Sequence, residues 1–250
     1  MYFDSHAHYD DTKFDSDRTD LLTNLKEVDC IINCGADLNS SEKSLQLADK
    51  FDFIYAAVGI HPENVESEND IDKLKNFAAH KKVKAIGEIG LDYHYENFSR
   101  DKQIELFKKQ IALANEMNLP IIIHGRDAQN DTFQIIKECA KTNGVIHCYS
   151  GNLQMALEYI KLGFYIGIGG VITFKNAKKL AEVVEQIPLE KILIETDCPY
   201  LSPEPNRGKR NDSSNLKYVV EKISQLKNIS HDEVAKITED NAKKLFQINF

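Results

Sequence analysis

Short apolar runs alternate with longer amphipathic segments along the whole chain, and this alternation constrains the fold more than any other feature. Runs of β type occupy residues 1–4, 30–34, 53–58, 83–87, 120–124, 144–147, 164–168 and 192–195. Residues 121–123 and 192–194 are apolar throughout, which is typical of parallel strands buried on both faces. Eight successive β-then-α units within 250 residues predict a (β/α)8 TIM barrel, formed by one domain over residues 1–250.

The segments between these runs have the periodicity of helices. Residues 17–26, 40–50, 99–117 and 175–186 are examples, and residues 216–226 and 231–246 predict two final helices that close the barrel. One apolar face of the segment 99–117 consists of Ile104, Phe107, Ile111 and Ala114. A doubly wound open sheet is the alternative fold, which is disfavoured because the sequence has no glycine-rich phosphate loop of the dinucleotide or P-loop type.

The composition indicates an ordinary globular protein, with 42% hydrophobic and 28% charged residues. No apolar run approaches the roughly 18 residues that span a bilayer, and the first residues lack the basic and then apolar pattern of a secretory signal. The five cysteines form no CxxC pair, which favours a reducing compartment. We therefore expect a cytoplasmic monomer without membrane contacts.

The charge balance bears on the partners of the protein. A formal net charge of −8 disfavours broad, non-specific binding to nucleic acid, which requires a basic surface. It does not exclude a local basic patch beside an active site. A pair of bound metal ions would itself attract phosphate groups.

Ionisable side chains follow the predicted strands at their carboxyl ends, where barrel enzymes build their active sites. His6 and His8, two residues apart on an extended strand, point to the same side and can direct two imidazole nitrogens at one ion. Four other strands each end in a histidine or carboxylate. These residues are Glu88, His124, His147 and Asp197.

Each of these residues alone could have a purely structural role. A histidine at a strand end can be held by hydrogen bonds, and a carboxylate there can cap the next helix. Together at one barrel mouth they would repel or desolvate one another at a cost of several kcal/mol, which divalent cations remove. Four histidines and two carboxylates suit two metal ions, with one carboxylate bridging. The remaining histidines are interpreted differently: His61 and His94 as residues that face substrate, His94 equally as a solvated loop residue, and His80 and His231 as surface residues.

The strand-end motifs resemble those of the TatD family of metal-dependent hydrolases, within the amidohydrolase-like barrels. The matching segments are DSHAH at 4–8, GIHP at 59–62, IGEIGLDY at 86–93, PIIIHGRDA at 120–128, HCYSG at 147–151, VITF at 171–174, ETDCPYL at 195–201 and RGKRN at 207–211. They occur in family order over almost the entire chain.

The resemblance implies two divalent metal ions. His6, His8 and Asp197 would hold one ion, His124 and His147 would hold the other, and Glu88 would bridge them. The sequence departs from the family after Arg210 and Asn211, where the family usually has Glu-Pro and this chain has Asp212 and Ser213. Substrate choice is therefore less firmly implied than metal binding. Mixed nitrogen and oxygen ligands suit Zn, Mn, Mg, Fe or Ni, so the metal is not specified.

The chemistry we expect is hydrolysis by a metal-activated water, with Asp197 as general base and Glu88 as the other catalytic carboxylate. Arg126, Arg207, Lys209 and Arg210 are candidates for binding substrate phosphates, since guanidinium groups match phosphate geometry. The alternative for residues 207–210 is a solvated basic turn. His61 and Tyr93 are further candidate substrate contacts, and Tyr93 and Tyr200 would stack on a base.

Three functions are compatible with these residues. The first is exonucleolytic hydrolysis of DNA at frayed or single-stranded ends, as expected for a TatD-type deoxyribonuclease. The second retains the site but cleaves an ester or amide, for instance in removal of a D-amino acid from tRNA. The third is a metal-holding barrel without catalytic activity that serves as a binding partner.

Overall fold

The computed structural model describes residues 1–65, 70–95 and 97–248. The strands are β1 (Tyr2–Ala7), β2 (Val28–Cys34), β3 (Ile54–Val58), β4 (Val83–Asp92), β5 (Ile121–Arg126), β6 (Gly144–Ile146), β7 (Tyr165–Ile168) and β8 (Ile192–Ile194). The α-helices are α1 (Arg18–Asn24), α2 (Leu38–Lys50), α3 (Ile71–Ala78), α4 (Arg100–Met117), α5 (Gln129–Cys139), α6 (Leu153–Lys161), α7 (Lys178–Gln186), α8 (Leu216–Lys227) and α9 (His231–Phe246).

The strands form one parallel sheet in sequence order, from β1 to β8. The two ends of the sheet meet where Ala7 forms a parallel bridge with Cys198. Two backbone hydrogen bonds seal this junction: the Asp197 N–H donates to the carbonyl of His6, and the His8 N–H donates to the carbonyl of Cys198. The sheet therefore closes into a (β/α)8 TIM barrel, and the alternative of an open sheet is wrong.

Apolar side chains fill the barrel interior and are capped from below by the last helix. Phe3, Ile32 and Leu193 belong to the same buried cluster as Leu245 and Phe246 of α9. The rings of Phe3 and Phe246 stack with centroids 5.9 Å apart. A larger apolar cluster lies between the sheet and the outer helices. Because the lower end is plugged in this way, the carboxyl ends of the strands form the accessible face of the barrel.

All eight predicted runs form strands, but several strands extend further toward the functional face than predicted. β1 continues to Ala7 rather than residue 4, because Ala7 takes part in closing the barrel. β4 continues to Asp92 rather than residue 87, because β5 pairs with it as far as Arg126. Ser99 is the N-cap of α4, so this helix begins within one residue of the prediction. Within the described ranges, no helix combines the length and apolar character needed to cross a bilayer.

Candidate metal centre

A cavity of about 770 Å³ opens at the carboxyl ends of the strands. Five of the six predicted metal ligands line it, and the sixth, His6, is fully buried beneath them. The lining also includes the cavity's one guanidinium among the described residues, from Arg126 at the end of β5. The fold therefore brings together side chains that are up to 191 positions apart in the sequence, from His6 to Asp197.

The first donor set lies where β1 meets β8. Nε2 of His6 and Nε2 of His8 are 2.9 Å apart, so both imidazoles point at the same place. Oδ1 of Asp197 is 3.7 Å from the first nitrogen and 3.4 Å from the second. The prediction that His6 and His8 share one side is confirmed by this approach.

The second donor set surrounds Glu88 in β4. Its Oε1 lies 2.7 Å from Nε2 of His147 and 2.9 Å from Nδ1 of His124. Its Oε2 faces the other way, 3.4 Å from Nε2 of His6 and 3.6 Å from Nε2 of His8. The carboxylate of Glu88 therefore faces both donor sets, each with a different oxygen.

Hydrogen bonds behind the rings fix their orientation. Nδ1 of His8 donates to the carbonyl of Cys34 at 2.8 Å, which leaves its Nε2 free to act as a ligand. Nε2 of His124 donates to Asp92 at 3.0 Å, so this histidine offers Nδ1 instead. Asp92 is itself held by Gln103, whose side chain bonds both its N–H and its carbonyl. Such partners set the tautomer of metal-binding histidines.

His147 is the exception, and its surroundings test whether the site suits a metal. Its Nδ1 is buried without a hydrogen-bond partner, and so is Oε2 of Glu195 beside it. Nδ1 of His147 and Oε1 of Glu195 are 3.6 Å apart, slightly beyond a hydrogen bond. Buried polar atoms are rarely left unpaired. A carboxylate behind the ring is the usual support of a histidine that binds a divalent ion through its other nitrogen, so these residues fit such an ion.

A buried carboxylate clamps the segments that deliver the first donor set. Asp4 accepts hydrogen bonds from the Thr196 hydroxyl at 2.6 Å, the Thr196 N–H at 3.0 Å and the Ser213 hydroxyl at 2.6 Å. Burial raises the pKa of Asp4 to about 7, although these donors lower it. The Ser213 N–H and hydroxyl also bond Tyr9. The clamp therefore joins β1, the segment that follows β8 and the segment before α8, directly behind His6 and Asp197.

A family model described as TatD related DNase matches residues 3–247. The metal-dependent hydrolase YabD of Bacillus subtilis is 47% identical over 255 residues, covering all of both chains. The metal-dependent hydrolase YcfH of Escherichia coli is 36% identical, covering 98% of this chain and 96% of its own. Among solved structures, the TatD homologue YJJV of Escherichia coli superposes with a TM-score of 0.93 and 30% identity, covering 99% and 98% of the two chains.

The chain belongs to the TatD family. The match extends over nearly the whole sequence, so the barrel and its strand-end motifs belong to one family unit. The resemblance noted from the motifs is thereby confirmed. The family consists of metal-dependent hydrolases, and the described residues include three groups of histidines and carboxylates able to hold an ion. These groups are His6, Glu88 and His147; His6, His8 and Asp197; and His61, Glu88 and His124.

In this TatD centre the carboxylates of Glu88 and Asp197 are surrounded by histidine side chains, and these neighbours shift one another's pKa values. Burial alone would raise the pKa of Glu88, but the facing histidines, His147 foremost, hold it well below its usual range. Burial likewise opposes ionisation of His8, but Asp197 raises its pKa to about 9. Burial and the neighbouring His147 lower the pKa of His6. Both carboxylates are therefore charged at neutral pH and balanced by protons on part of the imidazole cluster.

His61 lies at the edge of the TatD centre in a defined tautomer. Its Nδ1 accepts the N–H of Glu63 at 3.2 Å, which places the ring proton on Nε2. That Nε2 is 3.8 Å from Oε1 of Glu88. Burial and the neighbouring His124 lower the pKa of His61 to about 3. The ring therefore stays neutral and presents an N–H to the cavity.

The basic residues predicted to bind substrate lie in different places. Arg126 lines the cavity, with its guanidinium over the Tyr95 ring. Arg207 and Lys209 are exposed on the loop after β8, outside the described lining of the cavity. Arg207 stacks on the Phe174 ring. The guanidinium of Arg210 forms two hydrogen bonds to Asp17, at 2.7 and 2.6 Å. The roles of Arg207, Lys209 and Arg210 in substrate binding stay predictions, and the geometry favours Arg126.

The two tyrosines predicted to stack on a base also lie in different places. Tyr93 lies away from the described cavity lining, with its hydroxyl donating to Asp131 and Arg100 over its ring. Tyr200 lines the cavity next to Leu201, and the two side chains are 44% and 40% exposed. His94 is an exposed loop residue paired with Asp127. The Tyr200 hydroxyl donates to Asp11, and Nζ of Lys13 lies 4.1 Å from the centroid of its ring, so Tyr200 and Leu201 form a partly exposed apolar surface at the rim.

Sequence reasoning did not assign roles to three residues that support the ligands, Asp4, Asp92 and Glu195. A signal for Asp92 is present, because Glu88, Gly90 and Asp92 alternate on one side of an extended strand. Glu195 stands two positions before Asp197, so the same alternation points to it. Asp4 belongs to the first motif but pairs with residues 192 and 209 positions away, for which the local sequence gives no signal.

Proposed function

We propose that this TatD protein hydrolyses phosphodiester bonds of DNA with two divalent metal ions, as an exonuclease on single-stranded or frayed ends. The observation that carries the proposal is that the two oxygens of Glu88 face two different donor sets. The neutral N–H of His61 and the guanidinium of Arg126 lie in the same cavity. Paired ions clamp the attacking and leaving oxygens in phosphoryl hydrolysis. The description of the matching family model, TatD related DNase, supports the same activity.

His6, His8 and Asp197 would hold one ion, and His124 and His147 the other, with Glu88 between them. When bound, the ions supply Lewis acidity and lower the pKa of a water molecule from 15.7 to about 7. Zn, Mn, Mg, Fe and Ni are all compatible with this set of nitrogen and oxygen donors.

Asp197 is the group that we assign as general base. Its side chain is 17% exposed, so one face of the carboxylate is open to the cavity while the other meets the histidines. His8 holds its pKa below the usual range despite burial, so the carboxylate is ionised and ready to accept a proton from the attacking water. The residue has φ of 55°, a left-handed backbone that aspartate tolerates, and its N–H is tied to β1.

His61 and Arg126 are the groups that we assign to the phosphate. The Nε2–H of His61 is a fixed, uncharged donor, suited to a non-bridging oxygen on which charge develops. Arg126 supplies a charged, planar donor on the neighbouring side of the cavity. Tyr200 and Leu201 would contact a terminal base, since stacking on an aromatic ring is tolerant of sequence. The two donors, His61 and Arg126, and the apolar rim of Tyr200 and Leu201 suit a single terminal nucleotide better than a long duplex.

The test is a substrate panel on metal-free protein reconstituted with Mn, Mg or Zn. We expect a labelled single-stranded oligonucleotide to be shortened from one end, and Asp197→Asn to lower kcat by about 100-fold or more, as loss of a general base does. Asp232→Asn, which changes an exposed carboxylate on α9, serves as the matched control and should retain activity. An oligonucleotide left intact with every metal would refute the proposal.

The panel includes a D-aminoacyl-tRNA to test the ester alternative. Hydrolysis of this substrate that depends on Asp197, without any cleavage of DNA, would assign the same centre to an ester or amide bond. A protein that binds both ions but hydrolyses neither substrate would favour the non-catalytic alternative.

A further inference from the structure

A second cavity lies at the opposite end of the barrel, beside the amino ends of β5, β6 and β7. Its volume is about 270 Å³, enough for a phosphate group and part of an attached molecule. The described walls come from the turns before β5 and β6, the start of β7 and the end of α9. The side chains that matter are Asn118, Lys141, Thr142, Tyr165, Lys244 and Gln247.

The charged side chains that line this cavity are both lysines. Lys141 and Lys244 are exposed, and neither forms an ion pair with a described carboxylate. Asn118 and Gln247 each end a helix with left-handed backbone, at φ of 52°, so both side chains project from helix termini into the same region. No aspartate or glutamate is among the described lining residues, although the chain as a whole carries a net charge of −8.

Two hydroxyl groups beside the cavity have no hydrogen-bond partner among the described residues. Oγ1 of Thr142 is buried and has no hydrogen bond. The hydroxyl of Tyr165 also makes no hydrogen bond to another described residue, but this oxygen is open to solvent rather than buried. Hydroxyl groups such as these normally have a partner, whether protein, water or ligand. A bound group with acceptor oxygens would supply a partner for the accessible hydroxyl of Tyr165.

A third lysine raises the positive potential at the same place. Nζ of Lys191 lies 4.8 Å from the centroid of the Tyr165 ring, on which it forms a cation–π contact. Burial and the neighbouring charge of Lys244 lower the pKa of Lys191, so these two lysines are close enough to repel each other. Like charges held together cost free energy unless an anion lies between or beside them.

We infer that this lower cavity is a binding site for a phosphate-bearing anion, separate from the metal centre. The anion would accept hydrogen bonds from Lys141 and Lys244, with the hydroxyl of Tyr165 as a further donor. A phosphoryl group suits the site because it presents several acceptor oxygens and a charge near −2. The inference does not rest on the proposed nuclease activity, since none of these residues belongs to the metal centre.

The test is calorimetric titration of the metal-loaded, full-length protein with inorganic phosphate, followed by AMP. The wild-type protein should bind two phosphates, one at the metal centre and one in the lower cavity with a dissociation constant in the low-millimolar range or tighter. The double variant Lys141→Gln/Lys244→Gln should retain one site, with at least a tenfold loss at the other, because each lost charge-assisted hydrogen bond costs that much. Tyr165→Phe should weaken the same site while the fold remains intact.

The control Lys108→Gln/Lys179→Gln removes two exposed lysines elsewhere and leaves the net charge equal to that of the test variant. It should keep both phosphate sites, and hydrolysis at the metal centre should be unchanged in both double variants. A single phosphate site in the wild-type protein, or equal losses in the two double variants, would overturn the inference. Binding of AMP at the lower cavity would identify a phosphate ester, and binding of phosphate alone would identify the free anion; either result upholds a phosphoryl site.

Discussion

The carboxylate behind His147 offers the sharpest perturbation of the proposed centre. Glu195 is fully buried, its Oε1 accepts the N–H of Cys148 at 2.5 Å and lies 3.6 Å from Nδ1 of His147, and its Oε2 has no partner. Glu195→Gln keeps the shape of the side chain but removes its charge. His147 then loses the anion that would stabilise its Nδ1–H when Nε2 binds a cation.

The expected magnitude follows from the geometry. Carboxylates behind metal-binding histidines contribute about 10–100-fold to metal affinity, which corresponds to about 1.4–2.7 kcal/mol. Because Glu195 and His147 are both shielded from water, we expect the upper part of this range. The loss should be confined to the ion held by His124 and His147. The ion held by His6, His8 and Asp197 has its own supports, Cys34 and Asp4, and should bind as before.

The assay is a competition titration of metal-free protein against a chromophoric chelator, which resolves two dissociation constants. Glu190→Gln is the matched control, because it makes the same change on an exposed side chain five positions earlier. We expect one dissociation constant to rise in Glu195→Gln and neither to change in the control. Two unchanged constants in Glu195→Gln, or equal weakening of both sites, would refute the role assigned to Glu195.

Three further predictions follow from the same structure. Ser213→Ala removes a hydroxyl donor to Asp4 and should lower the free energy of unfolding by about 1–3 kcal/mol in urea, whereas Ser214→Ala, one position further on, should lower it far less; equal losses would contradict the clamp. Arg126→Gln should raise KM for an oligonucleotide by about tenfold or more, and Arg210→Gln should leave it within twofold because Asp17 already holds that guanidinium; the reverse order would assign phosphate binding to the loop after β8. Removal of both ions with a chelator, from a state in which each is at 100 times its dissociation constant, should lower Tm by about 10–20 °C, and an unchanged Tm would mean that the folded chain gains no stability from them.

Much of the fold was predictable because parallel strands carry a strong local signal. Runs such as 121–123 and 192–194 are apolar on both faces, which is typical of a sheet covered by helices. The ends of the strands were less predictable. The extensions of β1 to Ala7 and of β4 to Asp92 depend on pairing with Cys198 and with Arg126, and these partners are set by closure of the barrel.

The candidate site was also only partly predictable from the sequence. His6 and His8 were predictable as a pair, because a two-residue spacing on a strand fixes their common side. The double role of Glu88 was implied only by resemblance, since the sequence does not say which oxygen faces which histidine. The engagement of Arg210 by Asp17 was not predictable, because the two residues are 193 positions apart and a basic turn has the same composition whether it binds substrate or another side chain.

The dependence of hydrolysis on the number of bound ions tests the central proposal most directly. Metal-free protein is titrated with Mn while cleavage of a labelled oligonucleotide is followed, and bound metal is counted in parallel. With Glu88 between two donor sets, activity should remain near background through the first equivalent and rise with the second. Glu88→Gln should abolish this rise. Full activity at one equivalent, or an unchanged titration in Glu88→Gln, would contradict a two-metal centre bridged by Glu88.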